Sequence, residues 1–312
     1  MTALTLRRGA YELELQPAIG GAIGRFCWRH PDGARIDLMR PMAQAAVAAG
    51  HSDGAACFPL FPYSNRIRRA RFSFDGREIQ LPQGAAGAHV EHGHGWRRPW
   101  TVLAQDEKSA AIGFTHDPAL DASWPFAYAA EQHFELGAAG LHVTLRARNL
   151  GRARMPFGFG LHPYFPRTPQ ATLRADVNGF WESDADVLPT RHKEVPARFD
   201  LRAGLGMREI VIDNVFTGFA GKAEIAWPEF GTRLKLAADP ALRQLVVYVP
   251  DAATQAAERA AGTPDYFCAE PVSNITDAFN LADREETGMI VLEPGAEVRA
   301  ACRFSAAPLQ RS

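Results

Sequence analysis

The segment RFSFDGREIQL (residues 71–81) predicts a two-stranded antiparallel hairpin. Its centre, Asp75-Gly76, is a preferred two-residue hairpin turn, because both positions can adopt a positive φ. Pairing across this turn places Phe72 opposite Ile79, with apolar side chains on one face and polar side chains on the other. Such alternation is typical of a strand that buries one face and exposes the other.

The same alternation recurs along the chain, in YELEL (11–15), LHVTLRAR (141–148) and EVRAACRF (297–304). Helical signals are few: two alanine-rich segments, 42–50 and 252–262, each end in glycine, which is a common helix stop. We find no βαβ alternation and no internal repeat. The sequence therefore predicts an all-β fold, a large antiparallel β-sandwich with few short helices, built as one domain over residues 1–312.

Composition excludes several classes of partner. The formal net charge is −1 and neither end is strongly charged, so nucleic acid and membrane surfaces are not expected partners. The first residues show no apolar signal-peptide core, and no stretch approaches the roughly 18 apolar residues of a membrane span. The four cysteines form no CxxC pair, which predicts reduced thiols in a cytoplasmic protein; Cys302 fits a buried strand position.

Two residues stand out as candidates for acid–base chemistry. His162 lies in the apolar, aromatic run GFGLHPYF (158–165), and Glu270 follows the apolar residues 267–269 and precedes a proline. A carboxylate buried at such a position has a raised pKa and becomes a usable base near neutral pH. The alternative for each residue is structural: a core histidine with one hydrogen-bond partner, and a buried carboxylate that only holds the strand.

A third histidine-rich segment, HVEHGHGW (89–96), resembles a metal site because histidine is a common zinc ligand. If the segment is a strand, His92 and His94 share one face and His89 lies on the other, and no carboxylate cluster completes a ligand set. Near residue 18, AIGGAIG lacks the G-x-G-x-x-G spacing of a nucleotide loop. We therefore predict that the protein needs no metal and no cofactor.

Five motifs in a fixed order carry a resemblance to a known family. These are NRI (65–67), HG…W (92–96), HPYF (162–165), DN.F (213–216) and CAEP…DAFN (268–280), followed by the turn LEPGAEV (292–298). In this order they resemble the aldose 1-epimerase (galactose mutarotase) family over most of the chain. The resemblance implies the galactose mutarotase-like supersandwich fold and interconversion of the α and β anomers of a free aldose.

The resemblance also implies residue roles. His162 matches the general acid that protonates the ring oxygen, and Glu270 matches the general base that takes the proton of the C1 hydroxyl. His92, chosen over His94 because HVEHG fits the His-x-x-His-Gly pattern, matches a histidine near the ring oxygen. Arg66 and Asp213 match the residues that bind sugar hydroxyls. An acid–base pair of this kind needs no metal, redox cofactor or covalent intermediate.

The chain departs from the best-known mutarotases at three places. It has His94 where they carry a second glycine, Leu161 where they carry asparagine, and an insertion at 252–262. Two alternatives therefore stay open: a hexose-6-phosphate 1-epimerase, for which Arg97 and Arg98 are candidate phosphate ligands, and a non-catalytic sugar-binding protein of the same fold. The expected partner is a small sugar, and the expected state is a monomer or homodimer.

Overall fold

The computed structural model describes residues 3–82, 88–282 and 285–309. The strands, numbered in chain order, are β1 (Leu4–Arg8), β2 (Tyr11–Gln16), β3 (Ala22–Arg29), β4 (Arg35–Asp37), β5 (Cys57–Leu60), β6 (Arg66–Ile67), β7 (Arg71–Phe74), β8 (Arg77–Gln80), β9 (Val90–Glu91), β10 (Thr101–Gln105), β11 (Ser109–His116), β12 (Tyr128–Gly137), β13 (Gly140–Asn149), β14 (Met155–Phe157), β15 (Gly160–Pro166), β16 (Thr172–Ala175), β17 (Gly179–Ser183), β18 (Pro189–Glu194), β19 (Leu205–Gly206), β20 (Ile212–Thr217), β21 (Lys222–Trp227), β22 (Thr232–Ala238), β23 (Gln244–Val249), β24 (Tyr266–Val272), β25 (Ile290–Leu292) and β26 (Glu297–Pro308).

Helices are short and few in the described part of the chain. The two α-helices are α1 (Gln44–Ala49) and α2 (Ala252–Ala260). Single turns of 3₁₀-helix occupy Ser52–Gly54, Arg68–Ala70, Gly95–Arg97, Ala197–Phe199, Leu201–Ala203, Pro228–Phe230, Ala278–Asn280 and Glu285–Thr287. Both alanine-rich segments are thus helical as predicted. No helix of the described residues has the length and apolarity needed to span a bilayer.

Two large sheets dominate the molecule. The first has 11 strands in the order β1-β2-β3-β5-β15-β24-β23-β20-β17-β18, with β4 beside β3. The second has nine strands in the order β10-β11-β12-β13-β26-β22-β21-β16-β19. Every strand pair in these sheets that the structure describes is antiparallel, so the predicted all-β, antiparallel sandwich is confirmed.

The predicted hairpin and strand patterns are confirmed at residue level. Phe72 pairs with Ile79 across the Asp75-Gly76 turn, where both residues have positive φ. In β13, apolar Val143 is fully buried and pairs with buried Cys302 of β26, whereas His142 is partly exposed. All four cysteines are buried and free. Alternating side chains therefore build the apolar core, as a period of two requires.

Strands that carry the sequence motifs are neighbours in the first sheet. β5, β15, β24, β23 and β20 lie side by side, although they come from segments between residues 57 and 272. Gly160 pairs with Val272 and Tyr164 pairs with Cys268, so the register brings His162 and Glu270 opposite each other. The fold thus collects residues distant in sequence onto one patch of sheet.

Candidate active site

A cavity of about 220 Å³ opens over these central strands. Its volume is below the roughly 300–1,000 Å³ of pockets for drug-sized ligands, which suits one small polar molecule. All five residues predicted for the site line it. The complete lining is Asn65, Arg66, Glu91, His92, His162, Tyr164, Asp213, Val246, Tyr248 and Glu270. A larger depression, around Lys108 and Arg303 on the second sheet, contains none of the predicted site residues.

His162 and Glu270 form the buried end of this cavity. The His162 Nε2 atom lies 3.3 Å from Glu270 Oε1, and the two side chains are only 7% and 2% exposed. Glu270 Oε2 and His162 Nδ1 are buried and make no hydrogen bond in the described part of the chain. One oxygen and one nitrogen are therefore left without partners beside a cavity that a polar ligand can enter.

Burial shifts both groups towards their neutral forms. Removal from water raises the pKa of Glu270 well above its usual value, and the negative charges of Asp213 and Glu91 add to this effect. Burial likewise lowers the pKa of His162 well below its usual value, with His92 and the Arg40 cation contributing. Burial therefore favours the carboxylic acid form of Glu270 and the uncharged form of the His162 imidazole.

His92 is fixed as a hydrogen-bond donor towards the cavity. Its Nδ1 accepts the Asn65 backbone N–H at 3.2 Å, so in the neutral ring the proton must reside on Nε2. Burial lowers the pKa of His92 to about 4, which keeps the ring neutral. The ring lies edge-on to His162, with centroids 5.1 Å apart.

The expectation that His92 and His94 share one strand face is wrong. β9 ends at Glu91, and His92 and Gly93 both have positive φ, so the chain turns between the two histidines. His94 is buried away from the cavity, where its Nε2 lies 3.0 Å from the Tyr128 hydroxyl. A side chain at Gly93 would place its Cβ 2.1 Å from the Phe61 carbonyl oxygen, so this turn requires glycine.

Arg66 lies between two carboxylates at the other end of the cavity. Its Nη1 is 3.7 Å from Asp213 Oδ2, and its Nε is 3.6 Å from Glu91 Oε2. Burial raises the pKa of Asp213; Arg66 opposes this rise and Glu91 adds to it. Arg66 and Asp213 offer N–H donors and a carboxylate acceptor side by side, an arrangement that can bind a pair of hydroxyl groups.

Two motif segments hold each other in place behind Arg66. The Asp277 backbone N–H donates to the Arg66 carbonyl at 2.7 Å, and the Arg68 N–H donates to Asp277 Oδ1 at 2.9 Å. Ser64 Oγ donates to the Asn274 carbonyl at 2.9 Å. These bonds join the NRI segment to the loop after β24.

Comparison with known proteins shows the family to which this chain belongs. A family model described as aldose 1-epimerase matches residues 3–305. The chain belongs to the aldose 1-epimerase family. The uncharacterized protein YphB of Escherichia coli K12 is 33% identical over 298 residues, covering 95% of each chain.

Solved structures of similar proteins share the fold. A crystal structure from Escherichia coli K12, provisionally named an aldose 1-epimerase, has a TM-score of 0.86 at 30% identity and covers 99% of both chains. A galactose mutarotase-like protein from Clostridium acetobutylicum has a TM-score of 0.84 at 20% identity, over 98% of this chain and 95% of its own. The fold is therefore galactose mutarotase-like.

All three departures from the best-known mutarotases lie outside the cavity lining. Leu161 is buried in the apolar core, one residue from His162 and so on the opposite face of β15. His94 contacts Tyr128 instead of the cavity. The insertion forms α2, none of whose residues lines the cavity.

Sequence reasoning missed several lining residues of this epimerase-family site. Tyr164 and Tyr248 line the cavity, and the Tyr164 ring stacks on His162 with centroids 4.7 Å apart. Tyr164 follows His162 by two residues in a strand, so the period of two would have found it. Glu91 adjoins His92 but could not be named from the sequence, because the pairing of β9 with β6 is what places it opposite Arg66.

The described residues contain two groups of potential metal ligands. Within each group, the atoms that could bind a metal ion all lie within 4.8 Å of one another. The first is His162, Cys268 and Glu270; the second is His94, His116 and Asp121. Burial raises the pKa values of Cys268 and Glu270, which disfavours the anionic forms that bind metal. Asp121 already forms an ion pair with Arg98. His89, His92 and His94 do not form such a group among the described residues, and His89 Nδ1 accepts the Arg69 backbone N–H.

Proposed function

We propose that this chain is an aldose 1-epimerase that interconverts the α and β anomers of a free aldose. The observation that carries the proposal is the buried His162–Glu270 pair, at 3.3 Å, facing a small cavity with further polar groups. One group able to give a proton and one able to take it suffice for this reaction. Family membership supports the same conclusion.

The reaction opens and recloses the sugar ring. Glu270 as carboxylate takes the proton of the C1 hydroxyl while His162 gives a proton to the ring oxygen, so the C1–ring-oxygen bond breaks and C1 becomes an aldehyde. Rotation about C1–C2 presents the other carbonyl face. On closure Glu270 returns its proton to O1, His162 takes the hydroxyl proton, and the other anomer forms.

One proton shared by the pair serves both half-reactions. Ring opening begins with imidazolium and carboxylate and ends with neutral imidazole and carboxylic acid. Burial favours this second state, because it raises the pKa of Glu270 and lowers that of His162. For a cyclic substrate the proton moves from Glu270 to His162 first, across the direct 3.3 Å contact.

The remaining lining groups bind and orient the sugar. His92 in the Nε2–H form donates a hydrogen bond near the ring oxygen, which balances charge as the ring opens. Arg66 donates to sugar hydroxyls and Asp213 accepts from them. Tyr164 lines the cavity and stacks on the His162 ring, which holds that ring in position.

The two alternatives make different predictions about the same pocket. A hexose-6-phosphate 1-epimerase needs cations free to bind phosphate, but Arg66 is flanked by carboxylates, and Arg97 and Arg98 are outside the lining. A sugar-binding protein without turnover needs no paired acid and base, and this chain has both. We therefore favour the free aldose epimerase, acting in the cytoplasm without a cofactor.

Anomerically pure sugars test the proposal. We expect the protein to accelerate mutarotation of at least one free aldose, followed by polarimetry or by NMR exchange between anomers, in proportion to enzyme concentration. The panel includes the same sugars as 6-phosphates. Acceleration confined to phosphates would select the first alternative, and binding without acceleration of any sugar would select the second.

Activity is expected to survive removal of divalent metal ions. Burial favours the protonated forms of Cys268 and Glu270, Asp121 is ion-paired with Arg98, and the acid–base route uses only His162 and Glu270. The measurement is the mutarotation rate before and after dialysis against EDTA. A rate lost on chelation and restored by Zn²⁺ would contradict this prediction and would make His162, Cys268 and Glu270 metal ligands.

A further inference from the structure

Acidic side chains outnumber basic ones in the cavity lining. Three carboxyl side chains reach it, from Glu91, Asp213 and Glu270, whereas Arg66 is the one cationic side chain among the described lining residues. Both lining histidines have lowered pKa values and are neutral. Besides Glu270, the described lining therefore holds two carboxyl groups against one guanidinium group.

Arg66 has little positive potential to offer an anion. Glu91 and Asp213 lie on two sides of its guanidinium, at 3.6 and 3.7 Å. Backbone pairing enforces the first contact, because Arg66 of β6 lies directly opposite Glu91 of β9. Since side chains opposite each other on paired strands are neighbours, Glu91 stays beside Arg66 whenever this small sheet is formed.

The charge of Glu91 acts across the whole cavity. It adds to the effect of burial in raising the pKa values of both Asp213 and Glu270, which lie on other strands. A cavity of about 220 Å³ has a width comparable to the Debye length of ~8 Å at physiological salt. Any negative group on a bound sugar ring therefore lies within reach of Glu91.

Glu91 differs from the other two carboxyl groups in its exposure. Its side chain is 43% exposed, against 28% for Asp213 and 2% for Glu270, so it is the most solvent-exposed of the three carboxyl groups. Neither the acid–base step nor the binding of hydroxyls by Arg66 and Asp213 uses Glu91. The Glu91 carboxylate is thus free to interact with a charged group of the ligand at the cavity lining.

We propose that Glu91 is a specificity-determining residue whose negative charge discriminates against anionic aldoses, such as uronates and sugar phosphates, in favour of neutral aldoses. The proposal rests on the proposed epimerase function. Discrimination arises because like charges repel during approach and binding, and because Glu91 neutralises the cation that would otherwise attract an anion.

The test compares kcat/KM for glucose, glucuronate and glucose 6-phosphate in the wild type and in Glu91→Gln. We expect the neutral-to-anionic ratio of kcat/KM to fall by about three- to tenfold in this variant, on the scale of one partly screened charge. The matched control is Glu135→Gln, which removes the same charge from a side chain 74% exposed on the second sheet. Raising the salt to about 0.5 M should narrow the wild-type ratio.

Each outcome bears on one claim. A ratio that changes in Glu91→Gln and stays constant in Glu135→Gln supports the proposal. An unchanged ratio in Glu91→Gln, or an equal change in both variants, overturns it while leaving the epimerase function intact. A wild type that prefers the anionic sugars overturns it as well. Only a wild type that accelerates none of the free aldoses in the wider panel counts against the epimerase function itself.

Discussion

Glu270→Gln is expected to lower kcat by about 10²–10⁴-fold while the protein still folds, the usual range for a general acid–base group. The amide keeps the size and hydrogen-bonding capacity of the side chain but cannot take the proton of the C1 hydroxyl. Folding should be preserved because burial already favours the protonated, uncharged form of Glu270, and an uncharged amide replaces it.

The measurement is the mutarotation rate of the best free aldose, together with a thermal unfolding curve for each protein. Glu135→Gln, a change from carboxylate to amide far from the cavity, is the matched control and should retain the wild-type rate. If correctly folded Glu270→Gln turned over within about threefold of the wild type, Glu270 would be a structural residue.

His162→Asn is expected to lower kcat by roughly 10²-fold or more. Asparagine keeps a polar group in β15 but cannot deliver a proton to the ring oxygen. The smaller side chain loses packing against Phe58 and Tyr164, whose ring centroids lie 4.5 and 4.7 Å from that of His162. A modest loss of thermal stability should therefore accompany the loss of turnover.

The pH profile separates a catalytic His162 from a structural one. In the wild type the pair is active with one proton, so kcat/KM falls when a second proton binds and when the shared proton leaves. Burial lowers the pKa of His162 and raises that of Glu270, which moves the acid limb to lower pH and the alkaline limb to higher pH. The expected profile is a broad bell.

In His162→Asn, Glu270 is the one member of the pair that still titrates. When it loses its proton, it becomes the carboxylate that acts as the base. Residual activity should therefore rise with pH through the raised pKa of Glu270, with no alkaline limb. A bell of unchanged shape in this variant would assign the acid role to another group, with His92 as the other lining histidine. His162 would then have a structural role only.

Local sequence was sufficient for much of the fold, since the alternation in residues 141–148 predicts a strand and the Asp75-Gly76 turn predicts the pairing of its own hairpin. Five lining residues could be named from motifs. Glu91 and Tyr248 could not, because their positions depend on registers between segments that are distant in the chain. His94 was placed on the wrong face because two consecutive positive φ angles break the strand that the alternation assumed.

The placement of α2 bears on how chain length can vary. The helix lies in the connection between β23 and β24, yet Val246 still pairs with Glu270, because the hydrogen-bonded ladder and not the connection sets the register. Lengthening a connection costs little free energy, so residues can be gained or lost there without moving Glu270. One residue gained or lost within β24 before Glu270 would instead turn the carboxyl group to the opposite face of the sheet. Insertions and deletions are thus tolerated a few residues away from a strand whose length cannot change.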